Sequence, residues 1–246
     1  MHTSGKTPLY DRHVGLGARM VSFAGFEMPI QYSGIIQEHL AVRNAAGIFD
    51  VSHMGEVFVR GPHALEFVQN LVTNDADRLY DGRAMYSVMC RESGGIVDDL
   101  LVYRLNDEEF MLVVNAANRQ KDYEWMLQNN PAKAELDDLS DEIALIAVQG
   151  PKAFEIVEAL TNESISNLKY YHFRRLPERS FLGCRLAIIS HTGYTGEAGV
   201  EIYCEAEKAG HVWDSLMEAG RDKGLLPAGL GARDTLRIEA GYNLYG

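Results

Sequence analysis

The feature that most constrains what this chain can fold into is an internal echo. Val59-Arg60-Gly61-Pro62-His63-Ala64-Leu65-Glu66-Phe67-Val68 returns as Val148-Gln149-Gly150-Pro151-Lys152-Ala153-Phe154-Glu155-Ile156-Val157, with Val, Gly, Pro, Ala, Glu and Val in matching places. Each copy reads as a short apolar strand, a Gly-Pro stop, and an amphipathic helix opening where proline is tolerated. A unit written twice is expected to be built twice.

The segments downstream of the two copies are parallel as well. After the first come strand-like runs at 84–90, 96–105 and 110–115, then a helix around 118–129; after the second come runs near 180–190 and 199–204, then a helix around 207–219. With hairpin signals at Ser93-Gly94-Gly95 and Asn106-Asp107, this order predicts an α+β fold. Its two intertwined lobes would each be a strand-helix-strands-helix unit with mostly antiparallel sheets. A doubly wound nucleotide fold is disfavoured, because no Gly-x-Gly-x-x-Gly joins a strand to a helix. The leading segment carries a helix over Ile36 to Ala46, expected to end at Gly47. The division this suggests is one discontinuous lobe of residues 1–52 plus 140–246, and a second lobe of residues 53–139. The last residues, Tyr242-Asn243-Leu244-Tyr245-Gly246, are aromatic rather than polar, as expected at a boundary within a longer chain.

A chain of 246 residues with 46% hydrophobic side chains can bury one large core or two smaller ones. Its 23 Lys and Arg against 35 Asp and Glu leave a formal net charge of -12, a balance that argues against nucleic acid as the main partner. Cys90, Cys184 and Cys204 are odd in number and widely spaced, which fits neither a disulfide framework nor a zinc site and points to a reducing compartment. No stretch approaches the roughly 18 apolar residues of a membrane span. A cytoplasmic location is expected, or the mitochondrial matrix in a eukaryote.

Two stretches carry candidate chemistry. In Gly94-Gly95-Ile96-Val97-Asp98-Asp99-Leu100-Leu101-Val102-Tyr103, strand alternation puts Asp98 with Ile96, Leu100 and Val102, and Asp99 with Val97, Leu101 and Tyr103. Whichever face is the core, one carboxylate lands among apolar neighbours, where it needs protein donors or an N–H-rich ligand; a bulge that frees both acids is the alternative. In His191-Thr192-Gly193-Tyr194-Thr195-Gly196-Glu197-Ala198-Gly199-Val200-Glu201-Ile202-Tyr203, a glycine-rich loop presents Tyr194 and feeds a strand on which Glu201 shares a face with Tyr203. That glutamate either grips a planar heterocycle through paired N–H bonds or sits in solvent on an edge strand.

Arg233 opens the last helix-like segment, where it opposes the positive end of the helix dipole, so a partner such as Glu201 or an anionic or carbonyl-bearing ligand would explain it; a plain surface arginine is the other reading. Asp50, Ser52 and His53 lie close in sequence, but adjacency is not a triad and no Gly-x-Ser-x-Gly elbow accompanies them, so His53 reads as structural.

Taken together, Thr7-Pro8-Leu9-Tyr10, Phe49-Asp50-Val51-Ser52-His53-Met54, Gly94-Gly95-Ile96-Val97-Asp98-Asp99-Leu100, Thr192-Gly193-Tyr194-Thr195-Gly196-Glu197 and Ala232-Arg233-Asp234-Thr235-Leu236-Arg237 resemble, in order and spacing, the aminomethyltransferase (T-protein) family of the glycine cleavage system. The resemblance implies a tetrahydrofolate-dependent transferase that takes its substrate from the lipoyl arm of H-protein, with no metal and no flavin. It implies Asp99, the second of the pair, as the catalytic acid near the reacting nitrogens. Glu201, Arg233, Tyr194, Met54, Tyr86, Val113 and Asn115 fall at positions similar to the family's folate-binding residues, in a pocket expected between the repeat halves. The resemblance also leads to the expectation that the family's further C-terminal β-barrel-like domain is absent from this chain. Among relatives with the same fold, those acting in iron–sulfur protein maintenance or RNA modification are expected to carry a Lys-Gly-Cys motif where this chain has Glu239-Ala240-Gly241-Tyr242. Dehydrogenases of the sarcosine type would need a flavin domain ahead of Met1, and a non-catalytic folate-binding protein is the remaining alternative.

Overall fold

The computed structural model describes residues 4–245. In chain order its elements are β1 (Gly5–Lys6), α1 (Tyr10–Gly15), β2 (Arg19–Phe23), β3 (Phe26–Gln31), α2 (Ile35–Asn44), β4 (Ala46–Asp50), β5 (Gly55–Arg60), α3 (Ala64–Leu71), β6 (Arg83–Cys90), β7 (Ile96–Asn106), β8 (Glu109–Val114), α4 (Arg119–Gln128) and β9 (Glu135–Asp138). The second copy continues with β10 (Ile143–Gln149), α5 (Ala153–Glu158), β11 (Phe173–Arg175), β12 (Ala187–Ser190), β13 (Gly199–Glu205), α6 (Ala209–Gly220), β14 (Leu225–Pro227) and α7 (Leu230–Glu239). Among the described residues no helix is long and apolar enough to cross a membrane.

The fold is α+β and the duplication is real. Both copies run strand, helix, three strands, helix, as β5-α3-β6-β7-β8-α4 and β10-α5-β11-β12-β13-α6. The Gly-Pro stop makes the same turn twice: Ala64 N–H donates to Gly61 O at 3.0 Å, and Ala153 N–H to Gly150 O at 3.0 Å. Both glycines hold positive φ, +94° and +126°, a region open to glycine at little cost.

The chain divides into two units. One runs up to His53 and resumes over Glu142–Tyr170 and Arg174–Leu244; the other comprises Met54–Asp141 with Tyr171–Phe173 and Tyr245. The first unit holds a six-stranded sheet in the order β11-β12-β13-β10-β4-β14 and a three-stranded sheet β1-β3-β2. Its core lies on one face of the larger sheet. Ala144, Ile146 and Val148 of β10 and Val200, Ile202 and Cys204 of β13 alternate onto that face, where Ile156, Val157, Val212, Trp213 and Leu216 of α5 and α6 cover them. Each large side chain so buried contributes about 1.5–3 kcal/mol. The second unit holds the sheet β6-β7-β8-β5-β9, antiparallel throughout. Val57, Val59, Leu100, Val102, Phe110 and Leu112 meet Phe67, Val68, Leu71 and Met126 of α3 and α4.

Two expected elements differ. α2 ends at Asn44, and Gly47 lies inside β4 rather than capping the helix; a Cβ there would meet Val42 Cγ2 at 2.5 Å, so the glycine serves close packing. The run near 180–190 keeps only Ala187–Ser190 as strand. Ahead of it Phe181 and Cys184, three residues apart, both face the core, and Arg179 N–H donates to Cys184 O at 2.6 Å. A spacing of three apolar residues is turn geometry, not the alternation of a strand.

Candidate functional site

In the second unit the site is set by a bulge. The pairing of β6 and β7 slips between Met89 and Cys90, which oppose Asp98 and Ile96, so an extra residue sits at Val97. Beyond it strict alternation resumes: Asp98, Leu100 and Val102 are buried toward the core, while Asp99 and Leu101 are half-buried on the opposite face. The carboxylate trapped among apolar side chains is therefore Asp98, and Asp99 is the one presented outward.

Asp99 is gripped through both oxygens. Tyr86 on β6 donates its hydroxyl to Asp99 Oδ2 at 2.7 Å, and the Asn115 amide, one residue past β8, donates to Asp99 Oδ1 at 2.5 Å. The same amide reaches Asp98 Oδ1 at 3.0 Å. Val113 pairs with Leu101 in register and so stands on the Asp99 face. Gly55 is level with Val114, which carries half-buried Met54 level with Asn115. Asp99, Tyr86 and Asn115 are in direct contact within this unit, and Val113 shares their face.

In the first unit the core is Glu201 on β13. This strand is central, between β12 and β10, not an edge, and Glu201 faces away from the core beside Ser190 and Ala147. Thr192 donates its hydroxyl to Glu201 Oε2. Burial pushes the Glu201 carboxyl above its ordinary range, offset by that hydrogen bond and by the charge of Arg233. Burial likewise lowers the Arg233 guanidinium, while Tyr194 and Glu201 hold its charge in place. Arg233 sits in the first turn of α7 with its Cζ 4.6 Å from the Tyr194 ring centroid, and Tyr194 stacks on Tyr242 at 5.6 Å and 17°. The structure thus brings Glu201, Arg233 and Tyr194 together within this unit: a carboxylate, a guanidinium and a stacked ring, the components that bind a flat, amine-rich heterocycle.

A family model described as the GCVT N-terminal domain matches residues 9–246. The chain belongs to this family. It is 52% identical over 242 residues to the aminomethyltransferase of Caldanaerobacter subterraneus subsp. tengcongensis, covering 98% of this chain and 64% of that protein. It is 53% identical over 241 residues to the aminomethyltransferase of Chloroherpeton thalassium, covering 98% and 66%. The structure of glycine cleavage system aminomethyltransferase T from Bartonella henselae superposes with a TM-score of 0.89 at 34% identity, over 98% of this chain and 64% of that one. A heterotetrameric sarcosine oxidase from Corynebacterium sp. U-96 shares the fold alone, at a TM-score of 0.59 and 13% identity over 89% of this chain and 95% of that one. This GCVT-family chain therefore spans about two thirds of the length of the curated relatives it matches.

Several further residues, not singled out from the sequence, hold the candidate site in shape. Gln149, buried at the end of β10, donates to Thr192 O at 3.1 Å and accepts from Thr195 Oγ1 at 2.9 Å, so it pins the glycine-rich loop from beneath. Its signal lay in the repeat, where it is the polar residue before Gly150. Arg43 on α2 donates to Thr195 O at 2.7 Å, Glu197 at 3.0 Å and Glu239 at 2.9 Å, tying the loop to α7. Asp50 is not part of an Asp-Ser-His triad. It accepts from Thr7 Oγ1 at 2.6 Å and meets His13 Nε2 at 2.8 Å, while Ser52 Oγ donates to Leu145 O at 3.2 Å. His53, 1% exposed, packs edge-on against Phe23 at 5.6 Å.

Proposed function

We propose that this chain is the tetrahydrofolate-handling part of an aminomethyltransferase of glycine cleavage. The reaction releases ammonia from the aminomethyl group carried on the lipoyl arm of H-protein, transfers the carbon to tetrahydrofolate as 5,10-methylenetetrahydrofolate, and leaves dihydrolipoyl H-protein. The observation that carries the reading is the membership of the GCVT family together with an acid, Asp99, fixed through both oxygens on the sheet face turned away from the core.

As the carbon–nitrogen bond to ammonia breaks, positive charge develops on an iminium-like carbon–nitrogen unit. A carboxylate already oriented by Tyr86 and Asn115 stabilises that charge without reorganising. Both of its oxygens already accept hydrogen bonds, which suits Asp99 to orient and stabilise rather than to abstract a proton. Glu201 would accept from the ring N–H and amino group of the pterin, Arg233 would hold a carbonyl or carboxylate of the cofactor, and Tyr194, Met54 and Val113 would pack on its faces. No metal or flavin enters this scheme. The proposed setting is the cytoplasm, or the mitochondrial matrix in a eukaryote.

The test is the yield of ammonia and methylenetetrahydrofolate from aminomethylated H-protein and tetrahydrofolate. Asp99→Ala is expected to lose about 100-fold or more in kcat with its fold intact, the scale of one preorganised electrostatic group. Glu201→Gln should chiefly raise KM for tetrahydrofolate. Unchanged turnover in Asp99→Ala would remove that residue from the mechanism.

A further inference from the structure

On the core side of the second unit's sheet two carboxyl groups lie away from water. Asp98 of β7 and Asp122 of α4 are both 0% exposed, and Asp98 acts on the Asp122 carboxyl through a shared hydrogen bond and through its charge. Asp98 Oδ1 accepts from Asn115, but Asp98 Oδ2 and both oxygens of Asp122 have no hydrogen-bond donor among the described residues. The adjacent cation reaches Asp122 only as a long ion pair: Lys121 Nζ stands 3.6 Å from Asp122 Oδ1 and donates to the Val97 carbonyl at 2.5 Å. Two facing carboxylates so far from water cannot both carry charge at modest cost. One proton between them satisfies an orphaned oxygen on each side.

The consequence reaches Asp99 through Asn115. That amide nitrogen faces Asp98 Oδ1 at 3.0 Å, Asp99 Oδ1 at 2.5 Å and Asp99 O at 3.2 Å. It has only two hydrogens, so how strongly Asp98 attracts it decides how it is shared.

We propose that Asp122 is a positioning residue for Asp99: held as a neutral acid, it donates its proton to Asp98, and the Asp98–Asn115 pair so fixed orients the Asp99 carboxylate. The functional consequence rests on the role of Asp99 proposed above; the proton itself is readable without any folate. Burial and the neighbouring Asp98 push the Asp122 carboxyl up to about 8, against the pull of Lys121. The charged groups around it are accounted for. Asp98 faces it from β7, Lys121 lies over the Tyr245 ring at 4.9 Å, Arg91 lies over Trp125 of the same helix at 5.7 Å, and Arg119 is engaged with Asp141 at 2.9 Å. Above the midpoint a buried charge enters beside Asp98, which loses that donor and draws Asn115 away from Asp99.

The deciding measurement is a carboxyl-carbon NMR titration of the wild-type protein labelled with 13C-aspartate, from about pH 5 to 10. One aspartate carbon, absent in Asp122→Asn, should stay at the protonated shift at neutral pH and move to the ionised position with a midpoint near that of Asp122. The Asn115 side-chain amide resonance should move over the same range in wild type and stay fixed in Asp122→Asn, whose amide still donates. Turnover in wild type should fall above the midpoint, and that alkaline fall should be missing from the pH profile of Asp122→Asn. Ionised Asp122 at neutral pH, or an Asn115 resonance that ignores the titration of Asp122, would overturn the proposal. Should Asp122→Asn fail to fold, the wild-type titration decides alone, because the carbon can be assigned through its own backbone. Absence of turnover in wild type would count against the functional reading and leave the proton's position as measured.

Discussion

The loop that presents Tyr194 and orients Glu201 is predicted to depend on one amide. A Cβ added at Gly193 would fall 2.0 Å from Gln149 Oε1, and the Gln149 amide supplies the loop with a donor to Thr192 O and an acceptor for Thr195. Gln149→Ala removes two good hydrogen bonds and strands a buried carbonyl and hydroxyl, each costing about 1–3 kcal/mol, so a loss of about 2–4 kcal/mol is expected. Gly193→Ala must evict the same amide and adds overpacking of about 1–3 kcal/mol, for about 3–5 kcal/mol in all. The double variant cannot lose those bonds twice, and the alanine methyl enters space the glutamine has left. It should therefore cost about 3–4 kcal/mol, well short of the sum, with a coupling of about 2–5 kcal/mol. Urea unfolding midpoints at constant m-value measure all four corners. Because Thr192 also donates to Glu201, the single variants should weaken tetrahydrofolate binding in step with stability. Additivity within about 0.5 kcal/mol would refute the claim that both residues act through one set of bonds.

Three further outcomes are expected from the geometry. Gly150→Ala should abolish stable folding, since its φ of +126° comes with a Cβ 2.5 Å from Val42 O and 2.7 Å from Ala45 O; Gly61→Ala, with φ +94° and nothing within 4 Å, should cost only about 1–2 kcal/mol, and thermal midpoints compare them. Asp50 is pushed up by burial, but its bonds to His13, Thr7 and Ser52 outweigh this and hold it below the ordinary 3.8. A carboxyl lowered in the folded state stabilises above its unfolded value and loses that contribution as pH falls through the folded one. Asp50→Asn should thus cost about 3–5 kcal/mol at neutral pH and progressively less below about pH 4, read from urea midpoints across pH. Tyr86→Phe removes one donor to Asp99 from a side chain 44% exposed, so the thermal midpoint should hold while turnover falls roughly 10-fold.

Much of the scaffold was legible because the chain states it twice. The repeat, the Gly-Pro stops and the alternation in β7 and β13 are local signals, and the elements they imply form. Which of Asp98 and Asp99 faces the core was not legible, because a bulge at residues 96–98 resets the alternation and sequence does not say where a bulge falls. The turns at 180–184 fall within the run expected as strand because apolar residues three apart resemble a run until the third dimension separates them. Gln149, Arg43 and His13 act on partners 19 to 196 residues away, and no spacing rule reaches that far.

The duplication also shows where the two copies differ. Aligning the copies through Val59 and Val148 and following the registers outward makes β8 the counterpart of β13, and β7 that of β12. At the place of Glu201 the second unit has Met111, because Phe58 pairs with Met111 as Ala147 pairs with Glu201. At the place of Asp99 the first unit has Leu186, two residues before Ile188 as Asp99 is two before Leu101. Each acid is thus matched by an apolar residue in the other copy. Gln149, which pins the loop in one unit, is matched by Arg60, which in the other is spent on ion pairs with Glu109 and Asp137. The repeated strand-helix-strands-helix frame supplies two sheets, each with a face turned away from its unit's core, and each copy has placed its acid at a position the other keeps apolar.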